Sequence, residues 1–205
     1  MRCGRPLRAA APLAADAGVT LAIENHQDFG SAELVALCQE AGPSVGICYD
    51  TGNSFPVAEA PLDFTRAVAP HVAHVHLKDY RVQFTDEGYR LIRCAIGDGA
   101  VPIAAIAAVL GEHHPRLSAV MEPGALEARH VRLLTPGWWR GYPPRTAEAL
   151  AACLAAARHR RLRDDADFRT PWERGDDGAL VTYEMEMIRR SAANMRDLGL
   201  MEKRQ

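Results

Sequence analysis

His74-Val75-His76-Leu77-Lys78-Asp79 begins as a strand and ends in a crowd of polar groups. Val72, Val75 and Leu77 favour extended backbone, and the run closes on imidazole, ammonium and carboxylate. In parallel α/β sheets, reactive groups collect at the C-terminal edge of the strands. Three other stretches have the same shape: Val19-Thr20-Leu21-Ala22-Ile23-Glu24-Asn25-His26, Val45-Gly46-Ile47-Cys48-Tyr49-Asp50-Thr51-Gly52-Asn53 and Ser118-Ala119-Val120-Met121-Glu122-Pro123-Gly124. Each is a short apolar run that finishes on polar side chains. Four such strands converge Glu24, Asp50, His76 and Glu122 on one rim.

The spacing supports this. Glu24 to Asp50 is 26 residues, Asp50 to His76 is 26 again, and His76 to Glu122 is 46, the same unit with an insertion. A strand with its crossover helix needs roughly 30 residues. The chain therefore reads as consecutive βα units around a parallel sheet.

Working outward, residues 6–17 read as an Ala-rich helix ending at Gly18, and 19–24 as a buried strand. Ser31 is expected to cap a second helix with Leu34, Leu37 and Cys38 on one face. Residues 45–50 form the second strand, 62–69 a helix opened by Pro61, and 72–77 the third strand. A long connection over 79–101 contains the Gly97-Asp98-Gly99 turn. A helix over 102–112, a strand over 118–122, an Arg- and Trp-rich connection over 125–145 and a helix over 146–158 follow. Residues 163–178 read as a surface loop. A last amphipathic helix over 180–197 carries Met185, Ile188 and Met195 on its apolar side.

Composition bounds the class. The chain has 205 residues, 48% of them hydrophobic, enough for one sizeable core. A net charge of −2 argues against a nucleic-acid or anionic-membrane surface as the main partner. Cys3, Cys38, Cys48, Cys94 and Cys153 are scattered without a CxxC pair, which fits a reducing, cytoplasmic compartment. Arg2, Arg5 and Arg8 ahead of Ala9–Ala15 imitate a signal peptide, but Pro12 and Asp16 interrupt the apolar run. No run reaches transmembrane length.

Two glutamates, an aspartate and a histidine make an oxygen-rich site with one imidazole. Such a set suits one divalent ion of the Mn²⁺ or Mg²⁺ kind, with Co²⁺ or Zn²⁺ as alternatives. A divalent ion there can hold two adjacent oxygens of a hydroxy-ketone and stabilise an enediolate. Two glutamates flanking the substrate can then move a proton, one as base and one as acid.

Ile-Glu-Asn-His, Tyr-Asp-Thr-Gly-Asn, His-Leu-Lys-Asp and Met-Glu-Pro-Gly, in this order, resemble the strand-end motifs of the sugar phosphate isomerase/epimerase family, the xylose-isomerase-like TIM barrels. The resemblance runs from about residue 8 to 122. It implies an α/β fold, a (β/α)8 barrel with only about its last four βα units in this chain. Residues 1–158 would be the C-terminal half of the barrel, and 159–205 a charged loop and helix packed on it. The resemblance further implies that Glu24, Asp50, His76 and Glu122 are the metal ligands. It makes Glu24 and Glu122 the acid–base pair. The epimerases often carry a His three residues after the metal-binding Asp; Asn53 stands there in this chain. A half-barrel leaves both outer strands unpaired, so the expectation is the C-terminal part of a longer protein, with a homo-oligomer completing the barrel as the alternative.

Five further residues are candidates for substrate contact: His26, Asn53, Lys78, Arg93 and Trp138. Four of them have a structural alternative: a bonded loop His, a Lys78–Asp79 pair, a solvated Arg, a packed Trp. His74 shares the parity of His76. The His-x-x-Asp match selects His76 as ligand and leaves His74 as a packed, hydrogen-bonded core residue.

The function this implies is a divalent-metal-dependent isomerase or epimerase of a sugar, ketose or polyol. A dehydratase of an inosose-like keto-polyol uses the same site. An endonuclease IV-type enzyme shares the barrel, but needs more His ligands and a surface that grips phosphates. The non-enzyme alternative is an incomplete fragment or interaction module.

Overall fold

The structure, a computed structural model, describes residues 4–201. Arg2 and Cys3 lie outside the described residues. The elements run α1 (Gly4–Asp16), β1 (Leu21–Glu24), α2 (Ser31–Ala41), β2 (Val45–Asp50), α3 (Pro61–Val68), β3 (Val72–Leu77), β4 (Tyr80–Thr85), β5 (Gly88–Arg93), α4 (Ile103–His113), β6 (Ala119–Met121), β7 (Arg129–Val131), α5 (Ala147–Arg158) and α6 (Asp177–Asp197).

Strands β1, β2, β3 and β6 form one parallel sheet in that order. The alternation of each strand divides its side chains between two faces. Ile47 and Tyr49 turn to the helices, where Tyr49 stacks on Phe64 at 5.7 Å and its hydroxyl meets the Thr65 hydroxyl at 2.8 Å. Leu34, Phe55, Phe64, Ile106 and Leu110 fill the same layer. Glu24, Cys48, Asp50, His74, His76 and Val120 have the opposite parity. That face is open at the sheet's outer strands, where Val120 is 47% exposed, while Cys48 and Asp50 on β2 are buried. Among the described residues, β1 and β6 each pair on one side only. No described helix is long and apolar enough to cross a membrane.

The connection over 79–101 is structured. It holds the β4–β5 hairpin, which β7 joins to make a three-stranded antiparallel sheet. Tyr80, Val82, Tyr89 and Leu91 form its buried face, and the Tyr89 hydroxyl donates to the Phe55 carbonyl at 2.7 Å. The chain after α5 lies against this sheet: Leu162 N–H donates to the Val82 carbonyl at 2.7 Å, and the Gln83 amide donates to the Ala166 carbonyl at 2.9 Å.

Two local expectations are corrected. Gly30, not Ser31, precedes the first turn of α2, and the Glu33 carboxylate accepts its N–H at 3.0 Å. The Ser31 hydroxyl donates instead to Glu59 at 2.6 Å. On α6 the buried residues are Met187, Ser191 and Met195, while Met185 and Ile188 are exposed. Ser191 is buried because its hydroxyl accepts the Ile96 N–H at 3.0 Å and donates to the Met187 carbonyl at 2.7 Å.

Candidate metal centre

Parallel pairing aligns the strand ends. Asp50 pairs with His76, Glu24 with Cys48 two residues before Asp50, and Glu122 follows directly on β6. One ligand atom each of Glu24, His76 and Glu122 lies within 4.8 Å of the others. His76 Nδ1 is 3.4 Å from Glu24 Oε1. His76 Nδ1 is buried without a hydrogen-bond partner, and the buried Glu122 Oε2 meets the Lys78 ammonium at 2.6 Å. Two carboxylates and an imidazole gathered at one point, the imidazole with an unpartnered buried nitrogen, fit a hard or borderline divalent cation.

Asp50 takes a different position. Its side chain is fully buried, and its carboxylate pairs with the Lys78 ammonium. The same carboxylate accepts the Gly52 N–H at 3.0 Å and the Asn53 amide at 2.7 Å. Asn25 fixes its backbone from both sides, accepting the Asp50 N–H at 2.6 Å and donating to its carbonyl at 2.9 Å. Gly52 is required by close approach, since a Cβ there would stand 2.7 Å from the Tyr80 ring and 3.1 Å from the Lys78 stem.

Lys78 is only 3% exposed, and its Nζ also lies 2.6 Å from Glu122 Oε2. It does not pair with Asp79. The Asp79 carboxylate accepts four backbone N–H groups, those of Tyr80 (2.8 Å), Gly97 (2.9 Å), Gly99 (2.8 Å) and Val101 (3.0 Å). One aspartate thereby closes both ends of the hairpin excursion.

The field follows from these contacts. Burial pushes the Asp50 carboxyl up to about 6, against the pull of Lys78 and the Gly52 N–H. Burial also works against the Lys78 ammonium, but Asp50 and Glu122 hold its proton on. At Glu122 burial is outweighed by Lys78, then by Arg93 and His76, and the carboxyl sits below its ordinary value.

The other candidates are scattered around this rim. His26 is exposed beside β1. Asn53 is buried, bonded to Asp50 and to the Asn25 carbonyl at 3.0 Å. Arg93 is half-buried opposite Tyr80 and lies close enough to act on Glu122. Trp138 stacks on Tyr142 at 4.3 Å, and the Tyr142 hydroxyl donates to the Gln27 carbonyl at 2.7 Å. His74 bonds the Ser118 hydroxyl at 2.8 Å and meets His76 edge-on at 5.5 Å; it lies half-buried on the open face rather than in the core. Asn25 and Asp79 carry structural duties that their motifs displayed in the sequence without revealing the partners.

The sequence pattern of one family, described as the xylose isomerase-like TIM barrel, matches residues 2–130. The uncharacterized protein YihM of Escherichia coli (strain K12) is 33% identical over 108 residues, 51% of this chain and 33% of that protein. The 3-oxo-isoapionate decarboxylase of Pectobacterium atrosepticum is 22% identical over 140 residues, 65% of this chain and 51% of the enzyme. The chain thus spans a third to a half of these relatives. A xylose isomerase-like TIM barrel protein from Mycobacterium smegmatis, solved in complex with magnesium, matches with a TM-score of 0.54 at 17% identity, over 75% of this chain and 50% of that one.

Proposed function

Because the chain belongs to the xylose isomerase-like TIM barrel family, we propose that it carries the metal-binding rim of an enzyme that isomerises or epimerises a sugar, ketose or polyol. The observation behind this reading is the convergence of Glu24, His76 and Glu122 within 4.8 Å at the C-terminal ends of three parallel strands. These three would hold one divalent ion, Mn²⁺ or Mg²⁺ by the oxygen-rich donor set. When bound, the ion supplies a positive charge that polarises adjacent carbonyl and hydroxyl oxygens.

The protein's own groups move the proton. Glu122, held ionised beside Lys78, accepts it from the carbon next to the carbonyl. Glu24, as the acid of the pair, gives its own proton to the opposite face of that carbon and inverts it while Glu122 keeps the one removed; return of the removed proton from Glu122 to the neighbouring carbon isomerises the substrate. Arg93, close enough to act on Glu122, would contact a substrate hydroxyl; Asn53 would act through Asp50, and Trp138 stacked on Tyr142 would supply an apolar surface. The four cysteines among the described residues are free and buried, which suits a cytoplasmic setting.

A second reading, a lyase acting on a keto-polyol or 3-oxo sugar acid, is favoured by the match to a decarboxylase. The first proton or carbon-bond step leaves the same anion next to the carbonyl. One experiment separates the two. The chain is incubated with Mn²⁺ and ketoses, inosose-like ketones or 3-oxo sugar acids in D₂O. Deuterium at the carbon next to the carbonyl in recovered substrate or an isomer of the same carbon and oxygen count, lost in Glu24→Gln and Glu122→Gln, supports the isomerase. Release of water or CO₂ supports the lyase. Unchanged exchange in both variants removes the acid–base assignment.

A further inference from the structure

We infer that Arg93 and Arg129 form an oxyanion subsite beside the metal rim, so that the substrate is an acidic sugar or polyol, with a carboxylate or phosphate remote from its carbonyl. The inference rests on the reading above and names the substrate class of that same site; it gives Arg93 a charged partner in place of a hydroxyl.

The register of the antiparallel sheet brings the two arginines together. Arg93 stands opposite Tyr80, Arg129 opposite Leu91, and Val131 opposite Tyr89. Directly opposed residues share a face. Tyr80, Tyr89, Leu91 and Val131 are therefore on one face with both arginines. The far end of this face is buried and apolar at Tyr89 and Val131. Its near end carries two guanidinium groups. Arg93 and Arg129 are diagonal neighbours, roughly 7–8 Å apart at their Cα atoms, close enough for both side chains to reach one anion.

The near end meets the rim. A Cβ built on Gly124, two residues after Glu122, would stand 3.5 Å from Arg93 Nη1. The field of Arg93 reaches Glu122, and that of Arg129 reaches Tyr80 and Tyr142. Tyr142 is in turn tied to the loop after β1 through the Gln27 carbonyl. The pair thus lies between the end of β6 and the Tyr142 segment.

Charge balance calls for an anion there. Glu24, Asp50 and Glu122 are matched by Lys78 and one divalent ion, whichever carboxylates touch that ion. Arg93 and Arg129 are then in excess. Among the described residues neither joins an ion pair or a side-chain hydrogen bond, although Arg93 is half-buried. Nearby, Arg90 bonds Gln83 at 3.1 Å and stacks on Phe168 at 4.2 Å, and Arg132 pairs with Glu87 at 3.0 Å. Arg81 is exposed on the opposite face. Two like charges side by side repel. An oxyanion between them removes that cost, and the planar guanidinium fork matches the edge of a carboxylate or phosphate. A neutral ketose leaves both charges uncompensated.

The test is calorimetric binding of three probes to the 205-residue chain in Mn²⁺: D-fructose, D-fructuronate and D-fructose 6-phosphate, which share a ketone and differ in charge at C6. At least one of the two anions is expected to bind about tenfold or more tighter than fructose, and the tighter one identifies the group. The Arg93→Gln/Arg129→Gln variant is expected to bring that preference below about threefold while Mn²⁺ affinity is kept. Equal binding of all three probes by the parent, binding of none, or a preference that survives in the variant overturns the inference. If the variant does not fold, phenylglyoxal labelling of the parent chain, read residue by residue by mass spectrometry, decides. Protection of Arg93 and Arg129 by fructuronate or fructose 6-phosphate but not by fructose supports the subsite, and equal labelling overturns it. The labelling is also run without metal, which separates the two readings. A parent chain with no Glu24-dependent Mn²⁺ binding rejects the metal centre, whereas unprotected arginines reject only the anion subsite.

Discussion

Asn25 holds Asp50 by both of its backbone groups, accepting its N–H at 2.6 Å and donating to its carbonyl at 2.9 Å. The two residues end neighbouring parallel strands, and the amide replaces the ladder bonds that stop there. Asn25→Ala leaves a buried N–H and C=O without partners. The expected loss is about 2 kcal/mol of stability, with weaker Mn²⁺ binding as β2 loosens from β1. Urea unfolding with and without Mn²⁺ checks this; an unchanged midpoint would show that water replaces the amide without cost.

The two histidines of β3 separate by their partners. His74 already has one in Ser118, whereas His76 Nδ1 has none. His76→Ala should lower Mn²⁺ affinity by on the order of 100-fold or more, and His74→Ala by no more than about tenfold, the range of residues that only support a ligand. Titration calorimetry of both variants decides, and equal effects would overturn the choice of His76.

Asp79 collects four N–H donors on one carboxylate. Asp79→Ala would orphan all four, at a cost of about 3 kcal/mol even after some are taken up by water. The urea midpoint should fall by about 1–2 M. Limited proteolysis within 86–99 should speed up if the loss is local. A variant as stable and resistant as the parent would mean the excursion holds its shape without this tether.

Burial pushes the Cys48 thiol up to about 11, helped by the carboxylates of Glu24, Asp50 and Glu122, and the Cys153 thiol up to about 12 despite its contact with Tyr89. A raised thiol pKa means less thiolate. At pH 8 only about one Cys48 in a thousand is ionised. Alkylation of these two sites in native protein, followed by mass spectrometry, should be very slow at pH 8 and rise about tenfold per pH unit toward pH 10. Urea should abolish the protection. Fast native labelling at pH 8 would contradict the enclosed β2 seen here.

The parallel sheet was legible because each strand ends in chemistry and the ends recur every 26 residues, so period and composition agree. The hairpin within 79–101 was not read, although Tyr80, Val82 and Phe84 alternate with polar residues up to Asp86-Glu87-Gly88; βα spacing had already assigned the stretch to a connection. β7 left no local trace. It is three residues long, and its partner β5 lies about forty residues earlier. Around the site, motif matching brought Glu24, His76 and Glu122 to one rim. It could not foresee that Lys78 occupies Asp50, because that contact crosses 28 residues and depends on side-chain depth. On α6 the apolar pattern pointed to Met185 and Ile188, while packing chose the face of Ser191, whose hydroxyl satisfies a backbone group of the hairpin loop.

The tether at Asp79 has a consequence for how such a scaffold diversifies. Val101 N–H returns to the carboxylate from which the excursion departs, 22 residues later in the chain. Asp79 therefore ties both ends of the excursion at one point close to His76, while β7, Phe55 and the chain after α5 hold its body. The tip can be exchanged with little entropic penalty, because closure cost grows only slowly with the number of residues enclosed. A longer or differently charged turn grafted in place of Asp86 and Glu87 would change the tip while leaving the buried Val82, Tyr89 and Leu91, and with them Glu24, His76 and Glu122, where they are.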